Sequence, residues 1–308
     1  MNRQQAPSPS SFNTSPATIA KWLARREVLT LALAIGVLGG LYAQVLGKLV
    51  SDWATDDNYS HGFLVVPIAA FFVWERRQRL RMAERQPSVV GLAVVTGSLA
   101  VLVAGILGAE LFLTRVSLLG VLAGAVLFVL GWLHLRILAF SLAFLLLMVP
   151  IPAIVFNQIA FPLQLLASQL GQGALMVCSV PVLREGNVLV LASTSLEVAE
   201  ACSGIRSLIS LLTLGIVYGY FTDSRVWVRT AIALATVPVA IIANGLRVAG
   251  TGIAAAYIGP DAADGFFHTF SGWLVFIAAF VLLFVVARLL SWIAPDRAGA
   301  PVPAAEAV

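Results

Sequence analysis

Charged residues are scarce in this sequence, at 11% of 308 positions, whereas hydrophobic residues make up 60%. The mean hydropathy is +0.95. A soluble domain carries charge on about a quarter of its residues, so the composition excludes a soluble enzyme or a soluble nucleic-acid-binding module. The net charge of +4 does not restore a nucleic-acid partner, because basic residues of membrane proteins collect on the cytoplasmic side. The composition therefore predicts an integral membrane protein.

Cysteine and histidine are also rare, with two and three copies. Metal sites in proteins gather Cys, His, Asp or Glu at short, regular spacings, and this sequence has no such group. It also has no glycine-rich loop of the kind that holds phosphate. We therefore predict no metal and no cofactor.

Long apolar runs with few charges dominate the chain. They do not alternate as strands of a membrane barrel do, so each predicts a helix that crosses the bilayer. The predicted fold class is an all-α polytopic membrane protein. The eight predicted spans are 28–47, 61–75, 89–109, 111–132, 137–155, 203–221, 227–250 and 268–291.

The basic residues set the predicted orientation. With the N-terminus in the cytoplasm, fourteen of the nineteen Lys and Arg residues fall on the cytoplasmic side. The five on the other side are Lys48, Arg115, Arg184, Arg206 and Arg247. Residues 1–20 lack an apolar period and predict a disordered cytoplasmic tail, followed by a transmembrane domain at 21–294 and a cytoplasmic C-terminal tail at 295–308.

The longest predicted extracytoplasmic segment is 156–201. Its first half, NQIAFPLQLLASQLGQGALMVCSVP, has helical apolar spacing interrupted by Gln, which predicts an interfacial or re-entrant segment and not a clear span. Its second half alternates around Gly186 and Asn187 and is rich in Val and Leu, which predicts a small hairpin. This hairpin leads the chain to Cys202.

Cys202 stands where the sixth predicted span begins, in EACSGIRS. A helix N-terminus favours a thiolate, and Arg206, about one helical turn further on, adds positive potential. A thiolate is the nucleophile that attack on a carbonyl requires. The alternative is that Cys202 only packs, as the sequence around Cys178 suggests for that residue.

Two histidines share the predicted side of Cys202. His61 opens the second span and His268 opens the eighth, whereas His134 lies at the cytoplasmic end of the fourth. Either His61 or His268 can serve as a general acid or base, or can simply form hydrogen bonds at the interface. The spacing alone does not choose between them.

Arg247 lies within an apolar stretch, where a charge is costly unless it faces protein or a watery cavity. Asn244 precedes it by three residues and shares its helix face. Arg247 falls near the predicted extracytoplasmic end of its span, at the depth of Cys202 and His268. A thiol, an imidazole and a guanidinium at one depth predict acyl transfer, in which the cation stabilises the oxyanion.

Four segments carry a family resemblance: YSHGFLVVPIAAFFVW at 59–74, EACSGIRSL at 200–208, ANGLRVAGTG at 243–252 and FHTFSGW at 267–273. They resemble the exosortases, a family of polytopic membrane cysteine transpeptidases. The resemblance implies that Cys202, Arg247 and His268 are catalytic. From their positions in the sequence, we predict supporting roles for Arg206, Asn244 and His61. It covers most of the chain after about residue 28.

The resemblance also implies a substrate and a location. The partners would be exported proteins that end in a PEP-CTERM-like sorting signal, which is a Pro-Glu-Pro-like motif, a transmembrane helix and a basic cluster. The enzyme would sit in the lipid bilayer of a bacterial inner membrane, with both termini cytoplasmic and the active site facing the periplasm. It would cleave near the motif and transfer the new carboxyl end to a surface acceptor.

A competing hypothesis is a transporter or an assembly component of polysaccharide export, in which Cys202 has no chemistry. Secondary transporters gather polar residues near the bilayer midplane and carry inverted repeats. Here the polar residues collect at one side of the membrane, and the sequence has no convincing inverted repeat. The pattern favours the enzyme.

Overall fold

The computed structural model describes residues 16–192, 194–198, 204–259 and 266–293. It is 80% helical, so the protein is an all-α polytopic membrane protein, as the sequence predicts. Cys202 lies outside the described residues, as do most of the two predicted tails. The elements in chain order are α1 (Pro16–Thr55), α2 (Gly62–Glu75), α3 (Arg77–Met82), α4 (Val90–Leu107), α5 (Leu111–Val129), α6 (Trp132–Phe144), a 3-10 turn (Leu145–Met148), α7 (Ala153–Val177), β1 (Val182–Glu185), β2 (Val188–Leu191), β3 (Ser195–Glu197), α8 (Ile205–Thr222), α9 (Val226–Tyr257) and α10 (Phe266–Ile293).

The chain divides into two compact units, Met1–Leu49 and Val50–Val308. In the first unit, α1 is continuous from Pro16 and contains the predicted span 28–47. Its start lies inside the segment 1–20 that the sequence predicts as a tail. The predicted boundaries of the transmembrane domain, residues 21 and 294, stay predictions. All further contacts described below lie within the second unit.

Six helices in the described part of the chain are long and apolar enough to cross a membrane. They are Val90–Leu107, Leu111–Val129, Ala153–Val177, Ile205–Thr222, Val226–Tyr257 and Gly272–Leu290. Five of them coincide with predicted spans, and the sixth, α7, does not. The predicted spans at 61–75 and 137–155 correspond to the shorter apolar helices Gly62–Glu75 and Trp132–Met148. The total of eight spans stays a prediction.

Helices α4 and α5 form a tight antiparallel pair. Small residues allow the close approach, because Gly91 lies against the backbone of Phe128 and Gly124 lies against Val95. Membrane helices associate through such small residues, since lipid provides no hydrophobic drive for association. The turn between them contains Ala109 at a positive φ of 51°. The few residues that the sequence leaves between the third and fourth predicted spans, around Ala109, are therefore enough to reverse the chain.

The fifth predicted span, 137–155, is displaced in the structure. Helix α6 begins earlier, at Trp132, because Gly131 at φ 93° reverses the chain directly after α5. The helical course ends at Met148, because Pro150 and Pro152 lack a backbone donor and disfavour helix in the residues before them. The prediction was wrong by about one turn or more at each end.

Helices α8, α9 and α10 pack together around a core of small and branched side chains. Gly215 of α8 lies against Thr236 of α9, and Gly219 lies against Arg229, so α8 and α9 run antiparallel. We name the two ends of this group by their residues. The Gly204 end is where α8 begins, and the Tyr220 end is where it finishes.

The three strands form a sheet in the order β1-β2-β3, with both pairs antiparallel. The strands β1 and β2 lie where the sequence predicts a hairpin around Gly186. Leu189 and Leu191 of β2 are buried with Leu175 of α7 and Val248 of α9 in one hydrophobic cluster. The sheet therefore packs where the second half of α7 meets the second half of α9.

Helix α7 runs parallel to α9 where they touch. Leu170 lies against Gly245, and Leu175 lies against Gly252, so residue numbers rise together along both helices. The segment after α7 and the end of α9 line one cavity, with Val180 and Tyr257 among its residues. Helix α9 continues to Tyr257, beside this segment, and therefore extends seven residues beyond the end of the predicted span 227–250.

Candidate functional site

The chain that follows Cys202 packs against α9 from Gly204 onward. Gly204, two residues on, has a φ of 80°, and a Cβ atom there would lie 2.8 Å from Cγ of Asn244. A side chain at this position would therefore meet both a strained backbone and the buried Asn244 amide. Covalent geometry keeps the Cα atoms of Cys202 and Gly204 within about 7 Å of each other. The described backbone that follows Cys202 thus begins in contact with Asn244.

Arg247 reaches from α9 to the first turns of α10. Its Nη2 atom lies 3.5 Å from the place where a Cβ of Gly272 would be. His268 stands four residues before Gly272, one turn earlier on the same helix face. The side chain of His268 itself is outside the described residues. The structure therefore brings the guanidinium to the part of α10 that carries His268.

Arg206, in the first turn of α8, contacts the loop between α1 and α2. Its Nη1 lies 3.1 Å from Oδ2 of Asp57, and its Nε donates to Oδ1 of Asn58 at 3.4 Å. Asp57 is largely exposed. Its negative charge offsets part of the positive charge of Arg206, which the sequence predicts to favour a thiolate at Cys202. The contact also joins the start of α8 to the start of α2.

His61 and Trp53 bond to the end of the 3-10 turn. Nε2 of His61 lies 3.0 Å from the carbonyl oxygen of Leu147, and Nε1 of Trp53 donates to the carbonyl of Met148 at 2.9 Å. A carbonyl only accepts, so Nε2 of His61 carries the hydrogen. These carbonyls are followed in the chain by Pro150 and Pro152, which have no backbone N–H to donate to them. His61 is buried and holds two elements together.

We expect His61→Ala to reduce substrate cleavage less than His268→Ala does. Alanine at position 61 removes one buried hydrogen bond, which costs about 1 to 3 kcal/mol of stability. Alanine at position 268 removes the residue that the family resemblance implies is catalytic, so the loss of cleavage is expected to be larger. His61→Gln keeps a side-chain N–H and is expected to recover stability. Cleavage rates and unfolding midpoints of the three variants check this. A rate for His61→Gln as low as that for His268→Ala would make His61 the acid–base residue instead.

Sequence reasoning missed the partners of these side chains. Asp57 and Asn58 on Arg206, and Asp52 on the buried Arg115, are contacts between residues far apart in the chain. The only signal was the run of acidic and amide residues in the loop SDWATDDNYSHG, opposite basic residues at the starts of two spans. Within the described segments, no group of three or more His, Cys, Asp or Glu side chains can hold a metal. Cys178 is an exposed free thiol at the end of α7.

The fold and the site define a polytopic membrane protein with a polar cluster at the Gly204 end of its helices. The sequence model of the transmembrane exosortase family (Exosortase_EpsH) matches residues 53–285, which is more than half of the chain. The chain belongs to this family. No curated protein and no solved structure matched it.

Proposed function

We propose that this exosortase is a membrane cysteine protease/transpeptidase with Cys202 as nucleophile, His268 as general acid and base, and Arg247 as the oxyanion-stabilising cation. Its substrates are exported proteins with a C-terminal PEP-CTERM-like sorting signal. The enzyme cleaves near the motif and transfers the new carboxyl end to a surface acceptor. Asn244 positions the segment that carries Cys202.

The proposal is supported by the contacts that the starts of α8 and α10 make with α9. Asn244 and Arg247 occupy one face of α9, and they contact Gly204 and the turn of Gly272 respectively. Gly204 follows Cys202 by two residues, and Gly272 follows His268 by one helical turn. The described residues Gly204 and Gly272, which follow Cys202 and His268, therefore both lie against the α9 face that carries Arg247, which supports the proposed site. A transporter pathway would need no such meeting at one end of the helices.

The chemistry follows from the residue types. His268 takes the thiol proton, Sγ of Cys202 attacks the scissile carbonyl carbon, and Arg247 stabilises the negative oxygen. The C–N bond then breaks, and His268 returns the proton to the departing amine nitrogen. Water or a surface amine next attacks the thioester carbonyl, loses its proton to His268, and displaces the thiolate, which regains that proton. Both outcomes share the first half of this sequence.

The charges at the two ends favour one orientation of the helices. Asp52, Asp56 and Asp57 lie at or near the Gly204 end, whereas the Tyr220 end carries Arg76 and Arg229. Basic residues mark the cytoplasmic side, so the Gly204 end faces the periplasm of the inner membrane. A sorting signal with a basic cytoplasmic end inserts in the same sense and brings its motif to the depth of Cys202.

The test is co-expression with an exported reporter that ends in a Pro-Glu-Pro motif, a transmembrane helix and an arginine cluster. We expect a shortened reporter only when the enzyme is present, and none when the motif is scrambled. Intact mass of the new C-terminus separates water from an amine acceptor. A reporter left whole across a panel of motif variants would oppose the proposed activity.

The course of α7 gives a separate prediction about topology. Its start lies near the loop before α2, where Phe156 and Tyr59 have ring centroids 6.5 Å apart, and its end lies beside the end of α9. Both ends are therefore at the Gly204 end, although α7 is long and apolar enough to span. We expect Cys178 in a Cys202→Ala background to react with a membrane-impermeant thiol reagent from the periplasm.

The matched control for this labelling is a cysteine introduced at Ser224, at the Tyr220 end. It is expected to react only after the cells are opened. Protection of Cys178 in intact cells, together with labelling after lysis, would mean that α7 crosses the membrane.

A further inference from the structure

A polar cavity lies at the Tyr220 end of the helices, away from the candidate site. Its volume is about 410 Å³. It opens where the link between α2 and α3 meets the turn between α8 and α9. Its lining residues are Glu75, Arg76, Arg79, Tyr220, Ser224 and Arg229. Three of these six carry a guanidinium.

Aromatic contacts hold this cavity in shape. The ring of Tyr220 stacks on Phe140 at 5.0 Å with an angle of 16° between planes, and its hydroxyl donates to Oε2 of Glu75 at 2.7 Å. The guanidinium carbons of Arg229 and Arg76 lie 4.7 Å and 5.6 Å from the centroid of the same ring. Two arginines are thus placed around one fixed aromatic side chain.

The positive charge in the cavity exceeds the negative charge. Arg76 donates to the carbonyl of Ile137 at 2.6 Å, and Arg229 donates to the carbonyl of Asp223 at 2.6 Å. A carbonyl satisfies a donor without cancelling its charge. Among the described lining residues, Glu75 contributes the one carboxylate, which leaves the three arginines in excess by two charges.

A further carboxylate close to the cavity, that of Asp223, is paired mainly with Arg225, which does not line the cavity. Its Oδ2 atom lies 2.6 Å from Nη2 of Arg225, and its Oδ1 accepts from the backbone N–H of the same residue. The hydrogen bond from Arg225 holds the pKa of Asp223 below its usual value, so the carboxylate stays ionised at neutral pH. Asp223 is thus paired mainly with Arg225, and its weaker interaction with Arg229 reduces the positive excess of the cavity without cancelling it.

The surface around the cavity is apolar and exposed. Phe221, Val226 and Trp227 flank its α8–α9 side, and Phe71 and Trp74 flank the α2 side. Exposed Trp and Phe beside Arg, at the end of apolar helices, are typical of the membrane–water interface. A ligand of this cavity therefore has lipid-facing surface directly next to its charged part.

We propose that this cavity binds the phosphate group of an anionic phospholipid headgroup. Guanidinium groups match phosphate oxygens in paired hydrogen bonds, and the hydroxyls of Tyr220 and Ser224 add polar contacts. The exposed aromatic residues receive the acyl chains. Such a lipid ties α2 to the α8–α9 turn at the end opposite the candidate site. The inference rests on the cavity alone and does not depend on the proposed catalysis.

The test uses the full-length protein purified in detergent and measures binding by native mass spectrometry and the unfolding midpoint. The probes are dihexanoyl phosphatidylglycerol, dihexanoyl phosphatidylcholine and inorganic phosphate. We expect phosphatidylglycerol to bind and raise the midpoint, and the other two to have little effect. Arg79→Gln is expected to weaken phosphatidylglycerol binding about tenfold, the loss of one charge-assisted contact.

Arg79 suits this test because it is exposed, so its loss leaves the packing intact. Arg85→Gln, an exposed arginine of the following segment that does not line the cavity, is the matched control and is expected to bind normally. Equal binding of phosphatidylcholine, or unchanged binding by Arg79→Gln, would overturn the proposal. Binding of inorganic phosphate as tight as that of the lipid would assign the cavity to a soluble anion instead.

Discussion

Cys202→Ala is expected to lower cleavage of the sorting-signal reporter by at least about a thousandfold, with the protein still folded and inserted. Removal of the nucleophile in a covalent mechanism has effects of this size or larger, because the remaining groups cannot form the acyl intermediate. The contact of Gly204 with Asn244 at the start of α8 does not involve the thiol, so we expect the variant to keep this packing. The measurement is the rate of appearance of the shortened reporter by mass spectrometry.

The chain provides a matched control for this variant. Cys178→Ala removes the other cysteine, which is exposed at the end of α7, and is expected to cleave at the wild-type rate. Cys202→Ser keeps the shape of the side chain but has a far weaker nucleophile, and is expected to resemble Cys202→Ala. Retained cleavage by Cys202→Ala would remove the thiol from the mechanism and favour the transport or assembly hypothesis.

Arg247→Gln is expected to lower kcat for cleavage about a hundredfold with a smaller change in KM. Loss of one oxyanion-stabilising group costs about this much, because its interaction strengthens as charge develops on the carbonyl oxygen. Arg247→Lys keeps the charge but not the planar donor group, so it is expected to recover only part of the rate. Kinetics on the reporter in detergent or reconstituted membranes measure both constants.

A variant outside the site separates this effect from a general loss of positive charge. Arg184 is also basic and near the same end, but it bonds to the carbonyl of Gly186 at 2.9 Å within the hairpin. Arg184→Gln is expected to leave both kinetic constants close to wild type. If Arg247→Gln raised KM alone, Arg247 would bind substrate without stabilising the oxyanion.

The composition and the hydropathy pattern were enough to predict the fold class, because long uncharged runs have few folded solutions in lipid. They located α4, α5, α8 and most of α9 and α10. They did not resolve α7, since Gln residues and Pro162 break its apolar surface while its length still suits a span. Its direction depends on packing of Leu170 and Leu175 against α9, which no local pattern contains.

The candidate site was predictable only in part. Motif resemblance pointed to Cys202, Arg247 and His268, whose catalytic roles stay predictions. The structure places Gly204 and Gly272 against Asn244 and Arg247 of α9. The roles of neighbouring side chains depend on contacts across the fold. The hydrogen bond of His61 to the Leu147 carbonyl and the pairing of Arg206 with Asp57 join residues that are far apart in sequence. A single sequence does not contain such pairings.

The proposed course of α7 has a consequence for the number of membrane crossings. Arg76 and Arg229 both lie over the ring of Tyr220, so they stand on the same side of the membrane. An even number of crossings must separate them, and α4, α5, α6 and α8 would supply four if each of them spans. A crossing by α7 would then make five and would place the two arginines on opposite sides. If α7 returns to the side on which it starts, as we propose, this segment can lengthen or shrink without inverting any helix that follows it.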